Sequence, residues 1–216
     1  MKMKSEDILN NLMIRYPVLR DVQSEIWGSY RCILECFQKG GKLLLCGNGG
    51  SAADSLHIAG ELMKSFVLKR NIDERIGKRL CDLFPEESQF LVSKLEGALP
   101  AIPLTGSTAV ETAFANDVEA SLSYAQQIYA LGNEGDVLLG ISTSGNAENV
   151  KYAAMLARAK DMKMIGLTGR SGGKLKEYCH YCICVNEEET YRVQELHLPV
   201  YHAICQMVEA EIWGTY

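Results

Sequence analysis

The sequence predicts an α/β fold in which helices cover both faces of a parallel β-sheet. Three apolar, strand-like segments are each followed by a glycine-rich or hydroxyl-rich turn and a helix-like segment, and two further apolar segments complete the strands. Strands that alternate with helices favour parallel pairing through right-handed crossovers. The chain has 216 residues, 47% of them hydrophobic, which is enough to bury such a core without disulfide or metal staples.

Residues 1–40 are predicted to form a helical extension in front of the sheet domain, which is expected to comprise residues 41–216. Apolar residues recur at helical spacing between residues 5 and 39. Pro17 is expected to divide this segment into two helices, because proline lacks the backbone donor and its ring clashes with the preceding turn.

The elements of residues 41–216 follow from apolar runs and turn residues. The predicted strands are 42–46, 101–105, 136–141, 163–168 and 181–185. A helix is expected to begin near Ser51, and a long final helix is expected at about 190–213. A charged insert at about 69–100 interrupts the alternation and predicts one or two amphipathic helices. A lid, an oligomer contact and a solvated surface hairpin are all compatible with this insert.

Charge and composition narrow the classes of partner. The net charge is -5 and no long basic block is present, which disfavours binding to nucleic acid. No apolar run reaches the length that spans a bilayer, and the first residues lack the apolar core of a signal peptide. We therefore expect a cytoplasmic protein without a nucleic-acid or membrane partner, whose eight cysteines are thiols. Cys179 and Cys182 have metal-ligand spacing but lack a second ligand pair.

Two loops at predicted strand ends carry residues suited to an anionic ligand. The first consists of Asn48, Gly49, Gly50 and Ser51. The second presents the hydroxyls of Ser142, Thr143 and Ser144. In a parallel sheet both loops lie at the N-termini of the following helices, whose free N–H groups attract anions. A tight turn or a helix cap explains part of each pattern. Neither loop has the P-loop or dinucleotide signature, so no nucleotide cofactor is expected.

Four polar residues on two predicted helices are candidates for acid–base chemistry. His57 and Glu61 are four residues apart and share a helix face, which we expect to lie near the ligand. Gln194 and His202 are just over two turns apart and also share a face. From spacing alone, a surface ion pair is the better explanation of the first two residues, and their expected position favours the acid–base role. Together, the four residues suit either a zinc ion or a general acid and base.

Three stretches of the chain resemble the sugar isomerase (SIS) domain family, and most closely its phosphoheptose isomerase branch. They are CGNGGSAADSLHIAGEL, FANDVEASLSYAQQIYALGNEGDVLLGISTSGNAENV and YRVQELHLPVYHAICQMVE. The resemblance runs from about Leu43 to the C-terminus and is interrupted by the insert. It implies a flavodoxin-like three-layer αβα sandwich with a five-stranded parallel sheet. It also implies a homotetramer whose active sites lie at subunit interfaces.

The resemblance implies site residues and a reaction. Substrate would be held by Asn48, Gly49, Gly50, Ser51, Asn116, Asp117 and Gln194, and its phosphate by Ser142, Thr143 and Ser144. Zinc would be bound by His57, Glu61, Gln194 and His202. The reaction would convert sedoheptulose 7-phosphate to a heptose 7-phosphate aldose through an enediol, with Glu61 as the base and His202 as the partner acid.

At three positions the sequence differs from the branch, so the resemblance does not determine which sugar is the substrate. Ala147 stands where a further serine is usual after the hydroxyl loop. Lys64 and Ser65 stand where an arginine is common after the glutamate, and Tyr191 replaces an acidic residue before Gln194. Two other functions are compatible with the sequence. One is a non-catalytic regulatory or assembly protein, like relatives in bacterial replication initiation, and the other is a sugar-phosphate sensor.

Overall fold

The computed structural model describes residues 4–214 and confirms the predicted α/β fold with a five-stranded parallel sheet. The strands are β1 (Leu43–Gly47), β2 (Ala101–Pro103), β3 (Val137–Ser142), β4 (Lys163–Thr168) and β5 (Tyr181–Cys184). Their spatial order is β2-β1-β3-β4-β5, and all four neighbouring pairs are parallel. This is the flavodoxin-like order, in which the chain reverses direction across the sheet beside β1.

Nine α-helices are found within residues 4–214. They are α1 (Ser5–Arg15), α2 (Gln23–Gln38), α3 (Gly50–Met63), α4 (Glu74–Leu83), α5 (Ser88–Lys94), α6 (Thr108–Phe114), α7 (Ser123–Leu131), α8 (Glu148–Ala159) and α9 (Thr190–Trp213). The predicted break at Pro17 is confirmed, because a 3-10 turn at Pro17–Val22 separates α1 from α2. The strand predicted at 101–105 ends at Pro103, since Leu104–Gly106 turns into a 3-10 helix.

Helices form a separate hydrophobic core on each face of the sheet. Leu43 and Leu45 point into the core shared with α1, α2, α3 and α9, whereas Leu44 and Cys46 point into the core beneath α7 and α8. This alternation is the two-residue repeat of a strand buried on both faces. Residues 4–214 contain no helix that is long and apolar enough to cross a membrane.

The charged segment between α3 and β2, predicted to form one or two helices, forms two, α4 and α5. Asp73 caps α4 by accepting a hydrogen bond from the Ile76 backbone N–H at 3.1 Å. The base of the segment is closed where the Gly97 N–H donates to the Arg70 carbonyl at 3.1 Å. The insert therefore projects from the point where the chain leaves α3 and returns to the sheet.

His197 is a buried histidine that should make the fold sensitive to acid. Its side chain is fully buried on α9, and neither ring nitrogen has a hydrogen-bond partner within residues 4–214. Burial lowers the pKa of His197 to about 4, opposed by the nearby Thr168 backbone. Below the unfolded-state pKa of about 6.5, the unfolded chain therefore binds a proton that the folded chain excludes.

We expect the free energy of unfolding to fall by about 3 kcal/mol between pH 6.5 and pH 4 because of His197 alone, at 1.36 kcal/mol per pH unit. The measurement is urea unfolding of wild type and His197→Gln over this range. Gln is uncharged throughout, so the difference between the two curves isolates the histidine. Parallel curves would contradict the prediction.

Candidate active site

Helices α3 and α9 lie side by side and run in the same direction, which brings two distant parts of the sequence into contact. Near the start of both helices, a Cβ added at Gly50 would collide with the side-chain amide of Gln194. Further along, Tyr201 and His202 contact His57. The N-terminal ends of both helices follow strands at the carboxyl edge of the sheet. Their shared groove is the candidate active site.

His57, Glu61 and His202 form one cluster in this groove. His57 Nε2 lies 3.1 Å from Glu61 Oε1 and 3.4 Å from His202 Nε2. The Glu61 side chain is 13% exposed, and its Oε2 is buried without a hydrogen-bond partner. Burial, followed by the neighbouring His57, lowers the pKa of His202, which Glu61 opposes. The predicted acid and base therefore lie next to each other.

The cluster sits deeper along α3 than the sequence indicated. Glu61 lies in the last turn of the helix, about 16 Å along the axis from Gly50 at 1.5 Å per residue. Glu61 is therefore separated from the glycine-rich loop by most of α3, and its expected place near the ligand stays a prediction. Gln194 lies at the other end of the groove. Its amide packs on Gly50, and its position on α9 is about 12 Å along the axis from His202.

A hydrogen-bond chain that the sequence did not reveal determines the tautomer of His57. The buried Tyr201 hydroxyl donates to Asp54 Oδ1 at 3.2 Å and lies 3.0 Å from His57 Nδ1. The single hydroxyl proton is given to Asp54, so the tyrosine oxygen accepts from Nδ1–H. The lone pair of His57 is then on Nε2, which faces Glu61 and His202.

This arrangement favours a positive charge within the cluster. A carboxylate oxygen and the Nε2 lone pair of His57 would otherwise face each other at 3.1 Å. A proton or a metal cation removes this repulsion, and two imidazoles with a carboxylate are donors that zinc accepts. Among residues 4–214, no group of three or more His, Cys, Asp or Glu side chains already has the geometry of a metal site. The donor chemistry fits zinc, whereas the full predicted ligand set is not assembled.

The glycine-rich loop after β1 is open to a ligand and is braced from behind. Gly49 adopts φ +55°, a left-handed conformation that glycine tolerates. Asn48 and Asn149 exchange two amide hydrogen bonds of 2.9 Å, and the Tyr124 hydroxyl donates to the Gly47 carbonyl at 2.6 Å. Ser51 is buried in the first turn of α3. Asn48, Gly49 and Gly50 are therefore exposed on a rigid base.

The hydroxyl loop after β3 lines a cleft of about 380 Å³. Ser142 is buried at the strand end, Thr143 is half-buried, and Ser144 is exposed and accepts a hydrogen bond from Asn146 N–H at 3.2 Å. The wall of the cleft is formed by Thr143, Ser144, Asn146, Gly169, Arg170, Ser171, Glu187 and Glu188. Arg170, which the sequence analysis missed, brings a cation here and is paired with Glu188 at 2.8 Å.

Gly145 holds this loop against the neighbouring turn. It has φ +65°, and a Cβ there would collide with the Gly172 carbonyl oxygen. We expect Gly145→Ala to lower the free energy of unfolding by about 2–4 kcal/mol, combining backbone strain with a steric clash. Chemical denaturation measures this loss. Gly60→Ala is the matched control, since no atom would contact its Cβ, and α-helix propensity should then raise stability slightly. Equal stability of the two variants would contradict the prediction.

Asn116 and Asp117 lie on a different segment, between β2 and α7. They occupy an exposed π-helical turn, Ala115–Glu119, and hydrogen-bond to each other at 2.8 Å. Within residues 4–214, neither side chain makes a hydrogen bond to His57, Glu61 or His202. Their predicted role in substrate binding stays a prediction.

Comparison with known proteins agrees with this architecture. Residues 91–169 match the family described as SIS domain. Phosphoheptose isomerase of Clostridium acetobutylicum is 38% identical over 209 residues, which cover 96% of this chain and 93% of the relative. The chain belongs to the phosphoheptose isomerase family. The solved structure of a phosphoheptose isomerase from Francisella tularensis superposes with a TM-score of 0.73 at 30% identity, covering 95% of this chain and 98% of the other. The family resemblance predicted from the sequence is thus confirmed.

Proposed function

We propose that this protein is a sugar-phosphate aldose–ketose isomerase that interconverts sedoheptulose 7-phosphate and a heptose 7-phosphate aldose. Membership of the phosphoheptose isomerase family supports the reaction class and the phosphorylated sugar. The observation that carries the proposal is the contact between Glu61, His57 and His202, because it places a carboxylate beside two imidazoles in one groove.

Aldose–ketose isomerisation moves a proton between two neighbouring carbons through an enediol. Glu61, mostly shielded from water, takes the proton from the carbon next to the carbonyl. His202 exchanges a proton with the oxygen or the adjacent carbon. His57, with its tautomer fixed by Tyr201 and Asp54, directs its Nε2 lone pair into the cluster and would hold the cation that offsets the negative charge of the enediol oxygens. The Glu61–His202 pair therefore performs both proton transfers.

The phosphate end of the substrate is assigned to the loops at the carboxyl edge of the sheet. Ser142, Thr143 and Ser144 would bind the phosphate with their hydroxyls and the free N–H groups before α8. Asn48, Gly49, Gly50 and Ser51 would bind the sugar beside Gln194, whose amide already lies on Gly50. Asn116 and Asp117 would complete the substrate contacts.

We also propose that zinc binds at His57, Glu61 and His202; Gln194, predicted as the fourth ligand, would have to leave its position on Gly50 to join them. Glu61 Oε2 is buried without a hydrogen-bond partner, 3.8 Å from Lys64 Nζ, and with the converging lone pairs it supports a cation at this point. When bound, zinc would polarise the substrate oxygens as a Lewis acid. Elemental analysis of purified wild type and His57→Ala tests this proposal, with loss of bound zinc expected in the variant only.

Self-association as a homotetramer with interfacial active sites completes the proposal. Large apolar side chains are exposed on the helices around the cluster, among them Ile14, Leu56, Met63 and Leu198. A neighbouring subunit that covers this surface would also shield the groove from water. Sedimentation equilibrium gives the oligomeric state, and a monomer at micromolar concentration would contradict this part of the proposal.

The isomerase function is tested with purified protein and a panel of ketose phosphates that includes sedoheptulose 7-phosphate. We expect aldose formation from one or more of them, and less turnover after chelation. Binding without turnover would identify a sugar-phosphate sensor. Absence of both binding and turnover would indicate a regulatory or assembly protein.

Tyr201→Phe tests the hydrogen-bond chain behind His57. The variant removes the acceptor of Nδ1–H and leaves Asp54 Oδ1 without its donor. We expect activity or zinc affinity to fall by about 10-fold to 100-fold, the usual effect of removing an outer-shell partner. Steady-state kinetics and zinc titration measure it. Tyr30→Phe is the matched control, because Tyr30 is equally buried but its hydroxyl bonds to Ser5 and not to Asp54 or His57. Equal losses in both variants would refute the special role of Tyr201.

A further inference from the structure

A fully buried ion pair joins the two helices that carry the proposed acid and base. Arg70 Nε donates to Glu209 Oε1 at 2.7 Å, and the two side chains are 0% and 1% exposed. Arg70 follows α3, whereas Glu209 lies on α9, two turns beyond His202. Burying two charges is costly unless their remaining polar atoms are paired. Here the remaining polar atoms of both side chains hydrogen-bond to backbone groups next to Glu61 and His202.

The guanidinium of Arg70 holds the end of α3. Nη1 donates to the Leu62 carbonyl and Nη2 to the Glu61 carbonyl, each at 2.8 Å. The last carbonyls of a helix have no intrahelical partners and carry partial negative charge. Arg70 therefore caps the helix at the residue that supplies the proposed base.

The carboxylate of Glu209 holds the segment that covers the proposed acid. It accepts hydrogen bonds from the backbone N–H groups of Phe66 and Val67 at 2.9 Å and of Leu68 at 3.1 Å. The Phe66 ring then lies with its centroid 5.4 Å from that of His202. One ion pair thus fixes both the Glu61 backbone and the ring packed on His202.

From this geometry we propose that Arg70 and Glu209 are positioning residues, which set the separation and orientation of Glu61 and His202 during proton transfer. This inference rests on the proposed isomerase function. Apolar side chains of similar volume often replace a buried ion pair without loss of stability, but here they would leave three N–H groups and two carbonyls without their partners. Only the planar fork of arginine reaches the carboxylate and both helix carbonyls at once, so lysine cannot replace it.

The first test is Arg70→Lys in the full-length protein. The charge remains, but the contacts to the two helix carbonyls cannot all be kept. We expect kcat to fall by about 10-fold to 100-fold, as displacements near 1 Å do in catalytic groups. KM should change less than about threefold, because the substrate-binding loops are untouched.

The matched control is Asp136→Asn, which breaks a second buried ion pair far from the site. Asp136 pairs with Lys42, with Nζ and Oδ2 2.6 Å apart, at the amino ends of β1 and β3. This variant should have a lower Tm and an unchanged kcat per folded molecule. A kcat of Arg70→Lys that falls only in step with its folded fraction would overturn the inference.

The second variant, Arg70→Met with Glu209→Met, separates positioning from folding. Without an unpaired buried charge, its Tm should exceed that of Arg70→Met alone, while its kcat stays low. A crystal structure of the double variant should show the Glu61 carboxylate and the His202 ring displaced from each other by about 1 Å. Full recovery of kcat or an unchanged separation would refute positioning. Inactivity of wild type towards every ketose phosphate would instead refute the proposed function. The distance between Glu61 and His202 in the crystal structure would then still show whether the ion pair positions them.

Discussion

Glu61→Gln is expected to lower kcat by about 100-fold to 10,000-fold, the range that a general acid–base group contributes. Gln has nearly the shape of Glu and keeps an oxygen and a nitrogen within reach of His57 Nε2, now 3.1 Å from Glu61 Oε1. It cannot accept the proton of the substrate carbon. The loss should therefore appear in kcat, with little change in KM.

Fold stability distinguishes this effect from damage to the site. The mostly buried Glu61 leaves Oε2 without a hydrogen-bond donor, so its replacement by a neutral amide should not lower Tm. Glu35→Gln is a suitable control, because Glu35 forms an exposed ion pair with Arg31 on α2. Turnover by Glu61→Gln equal to that of wild type, with the Glu35 variant also unaffected, would remove Glu61 from the role of base.

His202→Ala is expected to lower turnover by about 100-fold or more, since it removes the partner that exchanges protons with the substrate. The ring is half-buried between Phe66, Tyr201 and His57, and its pKa is lowered mainly by burial. Truncation to Ala leaves Glu61 in place but without a second proton-transfer group. Steady-state kinetics with the best substrate of the ketose phosphate panel provides the measurement.

His180→Ala is the matched control for this histidine. Burial also lowers the pKa of His180, but its Nδ1 accepts from the Met164 N–H at the amino end of β4. We expect this variant to retain kcat. A rate for His202→Ala close to that of the control would show that the imidazole plays no part in turnover.

Local sequence patterns predicted most of the fold. Apolar runs gave the five strands to within two residues, and Pro17 divided the first two helices, because proline and strand burial act through the backbone of a few neighbouring residues. The glycine-rich and hydroxyl-rich loops were recognisable for the same reason. The spacing of His57 and Glu61 identified their shared helix face.

Contacts between distant segments required the tertiary structure. Helical spacing could not place His202 beside His57, since that contact depends on how α9 packs along α3. Nor could it show that Gln194 lies at the other end of the groove, or that Glu61 lies far from the glycine-rich loop. In the sequence, Tyr201 looks like an ordinary core residue of a helix. Only the structure places its hydroxyl between Asp54 and His57.

The sequence by itself determined the α/β class, the order of elements and the chemistry available in each loop and helix, because these depend on short-range periodicity and residue type. Only the tertiary structure decided which groups meet. Arg70 illustrates the difference, since in the sequence it is one more charged residue at the start of the insert. In the fold it is fully buried and bonds to Glu209, 139 residues away, because a buried charge needs an opposite charge and the packing of α3 along α9 brings Glu209 to it.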